Sequence, residues 1–179
     1  MSLSAWDQKS FEWVNRPHCQ LEFKSVFEGL KQFRNDFDGR LWLEVFLLSG
    51  INAMPMDVEK IAGLCRELEP ECIHLNTITR PPAEDFAAAV PRAQLETLTG
   101  MFDPPALIAS GFEANRSKKI EADEAHILAM LRRRPCTIKQ IEAAFGMHIH
   151  EVSKTLGLLL ENNRIRADLR KHEVYYTCR

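Results

Sequence analysis

Two apolar segments on either side of an amphipathic one set the strongest limit on the fold of this chain. Leu41–Leu48 is almost continuously apolar, which is typical of a strand covered on both faces, as in a parallel sheet. Asp57 is then a predicted N-cap for apolar residues at helical spacing, and a second strand is predicted over Cys72–Ile78. The sequence therefore predicts a right-handed, parallel strand–helix–strand unit.

This unit would place the carboxyl ends of both strands at one edge of the sheet, beside the loops Ser49–Pro55 and Thr77–Asp85. Ligands bind at that edge in open α/β sheets and in α/β barrels. A helix over Pro91–Phe102 and a short apolar segment, Ala106–Ala109, would continue the alternation. Two or three strands cannot close a barrel, so we expect this region to be part of a larger one.

A helical region is predicted before the first strand, over Asp7–Phe37. Pro17 interrupts it, because proline cannot continue a helix that began earlier. Ser25 is the predicted N-cap of its second part, whose apolar residues follow at helical spacing.

The chain beyond residue 116, here called the tail, has a different pattern. Asp123 and Thr137 are predicted to cap two helices, and a third helix is predicted over Glu151–Asn162. Two short strands, Arg164–Ala167 and Val174–Thr177, follow. Three helices and a terminal hairpin predict an α+β winged helix-turn-helix domain after the α/β region.

The charge changes where the pattern changes. Residues 1–116 hold 11 Lys/Arg against 17 Asp/Glu, a net charge of −6, whereas residues 117–179 hold 12 against 8, a net charge of +4. Such a shift marks a domain boundary, so two domains are predicted, 1–116 and 117–179. No apolar stretch approaches the roughly 20 residues of a membrane helix, and no signal-peptide pattern is present, so we expect a cytoplasmic protein without membrane contact.

Motifs for hydrolysis, phosphate loops and metal binding are absent from the sequence. The 5 cysteines form no Cys-x-x-Cys pair, which disfavours a disulfide framework or a zinc site. His148 and His150 have no neighbouring carboxylate or thiol pattern and predict a surface turn rather than a metal site. Without a nucleophile elbow or a glycine-rich phosphate loop, hydrolase and P-loop classes are disfavoured.

Four polar residues at the predicted ligand edge are candidates for binding. Glu44 interrupts an apolar strand, where a carboxylate is costly unless it is paired or faces a polar cavity. Asn76 and Arg80 lie at or just beyond the end of the second strand, and Asn52 lies in the other loop; all three can hydrogen-bond a polar ligand. The alternatives are a salt bridge for Glu44 and loop stabilisation for the others.

The tail offers five basic candidates for phosphate contacts: Lys154 on the third helix and Arg164, Arg166, Arg170 and Lys171 in the wing. The third helix presents few donors that could contact base edges. RNA or DNA contact and a protein-interaction or structural role therefore stand as equal alternatives for the tail.

Five short motifs together resemble the C-terminal half of a radical S-adenosylmethionine Fe–S oxidoreductase, of the group related to wyosine-base-forming enzymes. In chain order they are Asn15-Arg16-Pro17-His18, Trp42-Leu43-Glu44-Val45, Gly50-Ile51-Asn52, Leu75-Asn76-Thr77 and Arg80-Pro81-Pro82. The likeness covers residues 4–110, and the tail is similar to winged-helix extensions on some members.

The resemblance implies a partial (βα)6 barrel in which three cysteines of a Cys-x3-Cys-x2-Cys loop hold a [4Fe–4S] cluster that reductively cleaves S-adenosylmethionine. This chain has no such triad. The resemblance therefore implies a fragment with the last strands of the barrel, inactive alone and without bound cofactor. Six residues would line the mouth: Glu44, Asn52, Asn76 and Arg80 on the S-adenosylmethionine side, and Asn15 and Arg16 in the nearby loop.

Two functions follow as hypotheses. The first is a fragment of a radical S-adenosylmethionine enzyme whose partner is the missing N-terminal half-barrel, with the winged helix recognising tRNA, DNA or a protein. Strand edges exposed without that half predict self-association. The second is a non-enzymatic, nucleic-acid-binding winged-helix regulator in which the α/β region is a sensor or dimerisation domain.

Overall fold

The computed structural model describes residues 1–79, 82, 84, 86–109, 123–170 and 173–179. The helices in these ranges are α1 (Gln8–Asn15), α2 (Phe23–Asp36), α3 (Pro55–Glu67), α4 (Arg92–Thr99), α5 (Glu124–Arg133), α6 (Ile138–Phe145) and α7 (Ile149–Glu161). The strands are β1 (Trp42–Phe46), β2 (Cys72–Asn76), β3 (Leu107–Ile108), β4 (Ile165–Arg170) and β5 (Glu173–Cys178). The chain is thus a mixed α/β protein, and none of its described helices is long and apolar enough to cross a membrane.

The first three strands form one parallel sheet in the order β1-β2-β3. As the sequence predicts, β1 and β2 are parallel neighbours joined through α3. Glu44 pairs in register with His74, and Phe46 pairs with Asn76. The ends of both strands therefore meet at one edge of the sheet.

Within the described residues, one face of this sheet is covered and the other is open. Leu43, Val45 and the inward residues of β2 are at most 1% exposed and share a core with side chains of α2, α3 and α4. On the opposite face Trp42 is 56% exposed and Leu107 57%. The prediction that the first strand is covered on both faces is therefore wrong for the described residues. An apolar run predicts apolar side chains on both faces, but it cannot predict that another element covers each of them.

The first residues of the chain run beside β1. Leu3 N donates to Glu44 O at 2.9 Å, and Glu44 N donates to Met1 O at 2.8 Å. The Ser4 hydroxyl accepts a hydrogen bond from Phe46 N at 2.9 Å. This segment satisfies backbone groups on the outer edge of β1, so that edge is less open to strand pairing than the sequence predicted. Self-association remains a prediction.

The helix boundaries confirm some predicted caps and correct others. Asp123 and Thr137 each cap their helix in a reciprocal capping box, as predicted. Ser25 is not a cap, because α2 has already begun before it. Asp57 is not one either: α3 begins at Pro55, whose fixed backbone angle suits the first helical position.

The tail has its own core, formed by α5, α6 and α7 with the antiparallel β4–β5 hairpin. Met54 and Ala88 of the α/β region also belong to this core. The Ser49 hydroxyl donates a hydrogen bond to Ala144 O of α6. The two regions are therefore in direct contact, while the predicted domain boundary at residues 116/117 lies outside the described residues.

Candidate functional site

A pocket of about 370 Å³ opens at the edge of the sheet where β1 and β2 end. The strands contribute Phe46 and Asn76 to its wall, and α1 contributes Trp13. Phe86 packs edge-on against Trp13, with 6.2 Å between ring centroids. The pocket thus has aromatic walls above the carboxyl ends of parallel strands, the position at which α/β proteins bind ligands.

Asn76 lines this pocket and is hydrogen-bonded to Glu44, which lies behind it on the neighbouring strand. Asn76 Nδ2 donates to Glu44 Oε1 at 2.9 Å, and Asn76 Oδ1 accepts from Thr77 N at 2.9 Å. Both side chains lie on the uncovered face of the sheet, on neighbouring strands. The structure therefore brings together two of the predicted site residues. The Asn76 amide thus orients one carboxylate oxygen of Glu44.

Arg16 lies in the pocket wall at the end of α1, in a left-handed conformation with φ of 47°. Its guanidinium pairs with Glu84, and its Cζ lies 5.6 Å from the centroid of the Phe86 ring. Asn15, the other residue predicted for this loop, is exposed and ends α1. Of the two residues predicted for this loop, Arg16 lines the pocket and Asn15 does not.

Asn52 does not face the pocket. Its side chain is 0% exposed. Its Oδ1 accepts from Leu48 N at 2.7 Å, and its Nδ2 donates to Ser4 O at 2.8 Å and to Phe46 O at 2.9 Å. All of its hydrogen-bonding groups are engaged by the backbone, so Asn52 has the loop-stabilising role that was the alternative to ligand contact. The structure therefore corrects the prediction that Asn52 lines a cofactor site.

Three other pocket residues are not among the binding candidates that the sequence singles out. Thr77 joins three segments, because its hydroxyl donates to Leu47 O at 2.8 Å and accepts from Val90 N at 2.9 Å. Trp13 and Glu84 come from α1 and from the segment after β2, which no local motif links. Arg80, the remaining predicted ligand residue, lies outside the described residues.

Within the described residues, the cysteines and histidines do not assemble a metal site. Burial raises the pKa of the Cys65 thiol to about 12 and also raises the pKa of Cys136, so neither is a ready thiolate ligand. His148 caps α7, with its ring accepting from His150 N at 3.3 Å, rather than lying in a simple turn. Among the residues that the structure describes, no group of 3 or more His, Cys, Asp or Glu could hold a metal.

Three of the five basic candidates for phosphate contact in the tail form ion pairs within the described residues. Arg164 lies 3.6 Å from a Glu124 oxygen, while Arg166 and Arg170 approach Asp168 at 3.7 and 3.6 Å. These pairs are exposed, so each contributes about 1 kcal/mol or less. A phosphate could displace them, but the acidic partners reduce the positive field of the wing.

The remaining two candidates for phosphate contact in the tail are Lys154 and Lys171. Lys154 is exposed on α7, as a nucleic-acid contact requires. Lys171 lies outside the described residues. Leu158, on the same helix, is 49% exposed, so this surface of α7 combines a cation with apolar area.

No family model matches the chain, and no solved structure matches it. It is 35% identical over 80 residues to a UPF0026 protein of Methanocaldococcus jannaschii, covering 45% of this chain and 25% of that protein. It is 26% identical over 140 residues to a UPF0026 protein of Helicobacter pylori, covering 78% of this chain and 45% of that protein. The chain therefore has homologues among UPF0026 proteins and spans less than half the length of these curated relatives.

A third relative has a different name. The GTPase Obg of Brachyspira hyodysenteriae is 28% identical over 174 residues, covering 94% of this chain and 25% of that protein. The present sequence has no Gly-x4-Gly-Lys-Ser/Thr phosphate loop. The similarity to this GTPase is therefore not accompanied by a phosphate-binding loop in the present sequence.

Proposed function

We propose that this chain is the carboxyl-terminal part of a radical S-adenosylmethionine oxidoreductase and forms one wall of its S-adenosylmethionine pocket. The observation that carries the proposal is the one-sided parallel sheet, with the Asn76–Glu44 pair beside a pocket at its carboxyl edge. In an α/β barrel, helices cover the outer face of the sheet and the other face lines the interior. The ligand site lies at the carboxyl-terminal mouth.

The uncovered face of the sheet supports the proposal that another part of the protein packs against it. Trp42 and Leu107 expose more than half of their surface there, on β1 and β3. The chain spans 25% and 45% of its two UPF0026 relatives, which leaves most of each relative to provide other elements. We propose that the missing N-terminal half-barrel covers this face and closes the pocket.

The residues present fit S-adenosylmethionine but not an iron–sulfur cluster. Trp13 and Phe86 provide aromatic surface for a purine, and Asn76, oriented by its hydrogen bond to Glu44, provides a polar group for hydroxyls or an amine. The cluster needs three thiolates in one loop, which this sequence lacks, so the missing half-barrel would have to supply them. S-adenosylmethionine, when bound, would supply the sulfonium bond whose one-electron reduction by the cluster starts radical chemistry.

For the tail we propose a winged helix-turn-helix module that recognises the substrate or a partner. The order α5-α6-α7-β4-β5 and the hairpin pairing support this arrangement. The paired wing arginines favour a recognition role within the enzyme over an independent DNA-binding regulator, which needs a stronger positive surface.

A chimera tests the enzyme proposal. The matched 140-residue segment of the Helicobacter pylori relative is replaced by the corresponding residues of this chain, and 5′-deoxyadenosine is measured after anaerobic reconstitution with iron, sulfide and a reductant. We expect release by the relative and the chimera, and none by this chain alone. Asn76→Ala in the chimera should lower release about tenfold, as expected for loss of one polar contact.

The matched control is Asn35→Ala, the same substitution at an exposed position of α2, which should leave release unchanged. An intact, cluster-loaded relative that releases no 5′-deoxyadenosine would contradict the proposal. Equal losses in the two variants would contradict the role of Asn76.

A further inference from the structure

A second pocket, of about 250 Å³, lies where the two regions of the chain meet. Trp6 and Lys9 line it from the start of the chain, Lys60 from α3, and Arg133 and Arg134 from the end of α5. It shares no lining residue with the pocket at the sheet edge. No motif or resemblance in the sequence pointed to it.

The two carboxylates in this pocket already have partners. Asp57 accepts two hydrogen bonds from Arg134, at 3.2 and 2.8 Å, in a paired, fork-like contact. Asp7 accepts from Ser10 N at 2.7 Å as the N-cap of α1. The lining has four cations, so two positive charges remain in excess over the two carboxylates.

Two of the cations face the same aromatic ring. Lys60 Nζ lies 4.9 Å and Arg133 Cζ 5.8 Å from the centroid of Trp6. Neither of them, nor Lys9, is within 4.0 Å of a carboxylate oxygen in the described part of the chain. Both cations therefore lie around one side chain of this pocket, where an anion would be attracted to each of them.

Burial disfavours the charged form of the Arg133 side chain. It lowers the pKa of the guanidinium, an effect that Asp57 opposes and Arg134 adds to. A partly desolvated cation with a second cation nearby gains more from an anionic ligand than an exposed surface cation does.

The first turn of α3 also faces the pocket through Met56 and Asp57, with Lys60 one turn further on. No side chain in the described part of the chain caps this 13-residue helix at its start. Pro55 has no N–H group, and Asp57 N and Val58 N donate to Met54 O, so the helix adds to the positive potential of the side chains through its dipole.

We propose that this pocket binds a phosphate group, held between Lys60, Arg133 and the start of α3, with Trp6 as its apolar wall. A dianion matches the two excess charges, and a 250 Å³ volume accepts a phosphate with part of the molecule that carries it. The phosphate can belong to a small phosphorylated molecule or to a nucleic-acid backbone. Phosphate binding at this pocket does not rest on the function proposed above.

An NMR titration of the full 179-residue chain tests the proposal through the indole N–H signals of its 3 tryptophans. Trp6→Phe assigns the signal from this pocket, while Trp13 reports the other pocket. The probes are inorganic phosphate, a nucleoside monophosphate and a single-stranded oligoribonucleotide without a terminal phosphate, at constant ionic strength. We expect the Trp6 signal to shift saturably with phosphate while the Trp13 signal stays in place.

Lys60→Gln should raise the Kd for phosphate about tenfold, as expected for loss of one charge-assisted contact. Lys60 is exposed, so the variant should fold, and Lys139→Gln makes the same charge change on α6 away from the pocket. Tighter binding of the nucleoside monophosphate than of phosphate identifies a small phosphorylated ligand. Binding of the oligoribonucleotide that phosphate displaces identifies a nucleic-acid backbone. An unmoved Trp6 signal with all three probes, or equal effects of the two substitutions, overturns the proposal.

Discussion

The α/β region and the tail bury their apolar residues in different ways. The tail packs three helices and a hairpin around one core of buried apolar side chains. The α/β region packs helices on one face of its sheet and leaves Trp42 and Leu107 exposed on the other. A parallel sheet with one open face is unusual, because crossover helices normally cover both faces or the sheet closes into a barrel. The open sheet face indicates that the α/β region needs a further element, whereas the tail has a core of its own, with Leu158 and Leu169 exposed on its surface.

The largest change in the free energy of unfolding is expected at the ion pair between Asp57 and Arg134, which joins the two regions. Asp57→Ala removes the buried partner of Arg134, whose side chain is only 21% exposed, so the free energy of unfolding should fall by about 3–5 kcal/mol. All 3 tryptophans lie in the α/β region and both tyrosines lie in β5, so the two fluorescence signals follow the two regions separately during urea unfolding.

We expect coincident tryptophan and tyrosine transitions in the wild type and separated transitions in Asp57→Ala. Lys31→Ala, which removes exposed ion pairs on α2, is the control and should cost less than about 1 kcal/mol. Coincident transitions in Asp57→Ala, with a loss as small as in the control, would show that the regions are not coupled through this pair.

The second prediction concerns the loop after β1. Asn52→Ala leaves three buried backbone groups without partners, so it should lower the free energy of unfolding by about 2–3 kcal/mol. Asn35→Ala on exposed α2 should change it by less than about 0.5 kcal/mol. Urea unfolding followed by circular dichroism measures both. A stable Asn52→Ala variant would make Asn52 a ligand candidate again.

Local signals explain which parts of the fold could be predicted from the sequence. Asp123 and Thr137 act on backbone groups within three residues, so their capping role is visible in the sequence itself. The meeting of Glu44 and Asn76 also followed from the sequence, because parallel pairing brings strand ends together.

Long-range partners could not be predicted in this way. Asp57 has the residue type of an N-cap, but its partner is Arg134, 77 positions further along the chain. Arg16 and Glu84 are 68 positions apart and meet only because α1 packs near the end of β2. Nothing local distinguishes such residues from solvated surface charges, which is why the second pocket and part of the first were missed.

The third prediction compares two glycines. Gly50 has φ of +69°, and a Cβ there would lie 2.6 Å from Phe145 Cζ in the tail. Gly50→Ala should therefore lower the free energy of unfolding by about 2 kcal/mol, through backbone strain and displacement of the ring. Gly63, inside α3, has nothing within 4 Å of such a Cβ, so Gly63→Ala should raise stability by up to about 1 kcal/mol. Opposite signs in thermal unfolding confirm the strain expected at Gly50, and equal signs contradict it.

The smallest expected change in stability is at the open face of the sheet. Trp42→Gln removes a side chain that is 56% exposed, so the free energy of unfolding should change by no more than about 0.5 kcal/mol. If the open face is an unpaired barrel interior, the same substitution should reduce concentration-dependent self-association, because it removes apolar area that a second copy would cover. Light scattering after size exclusion measures the mass at rising concentration, with Leu158→Gln on exposed α7 as the matched control. A wild type that stays monomeric at every concentration, or a loss of association only in Leu158→Gln, would show that the open face is not the associating surface. In either case the contrast between the two regions would no longer point to a missing half-barrel.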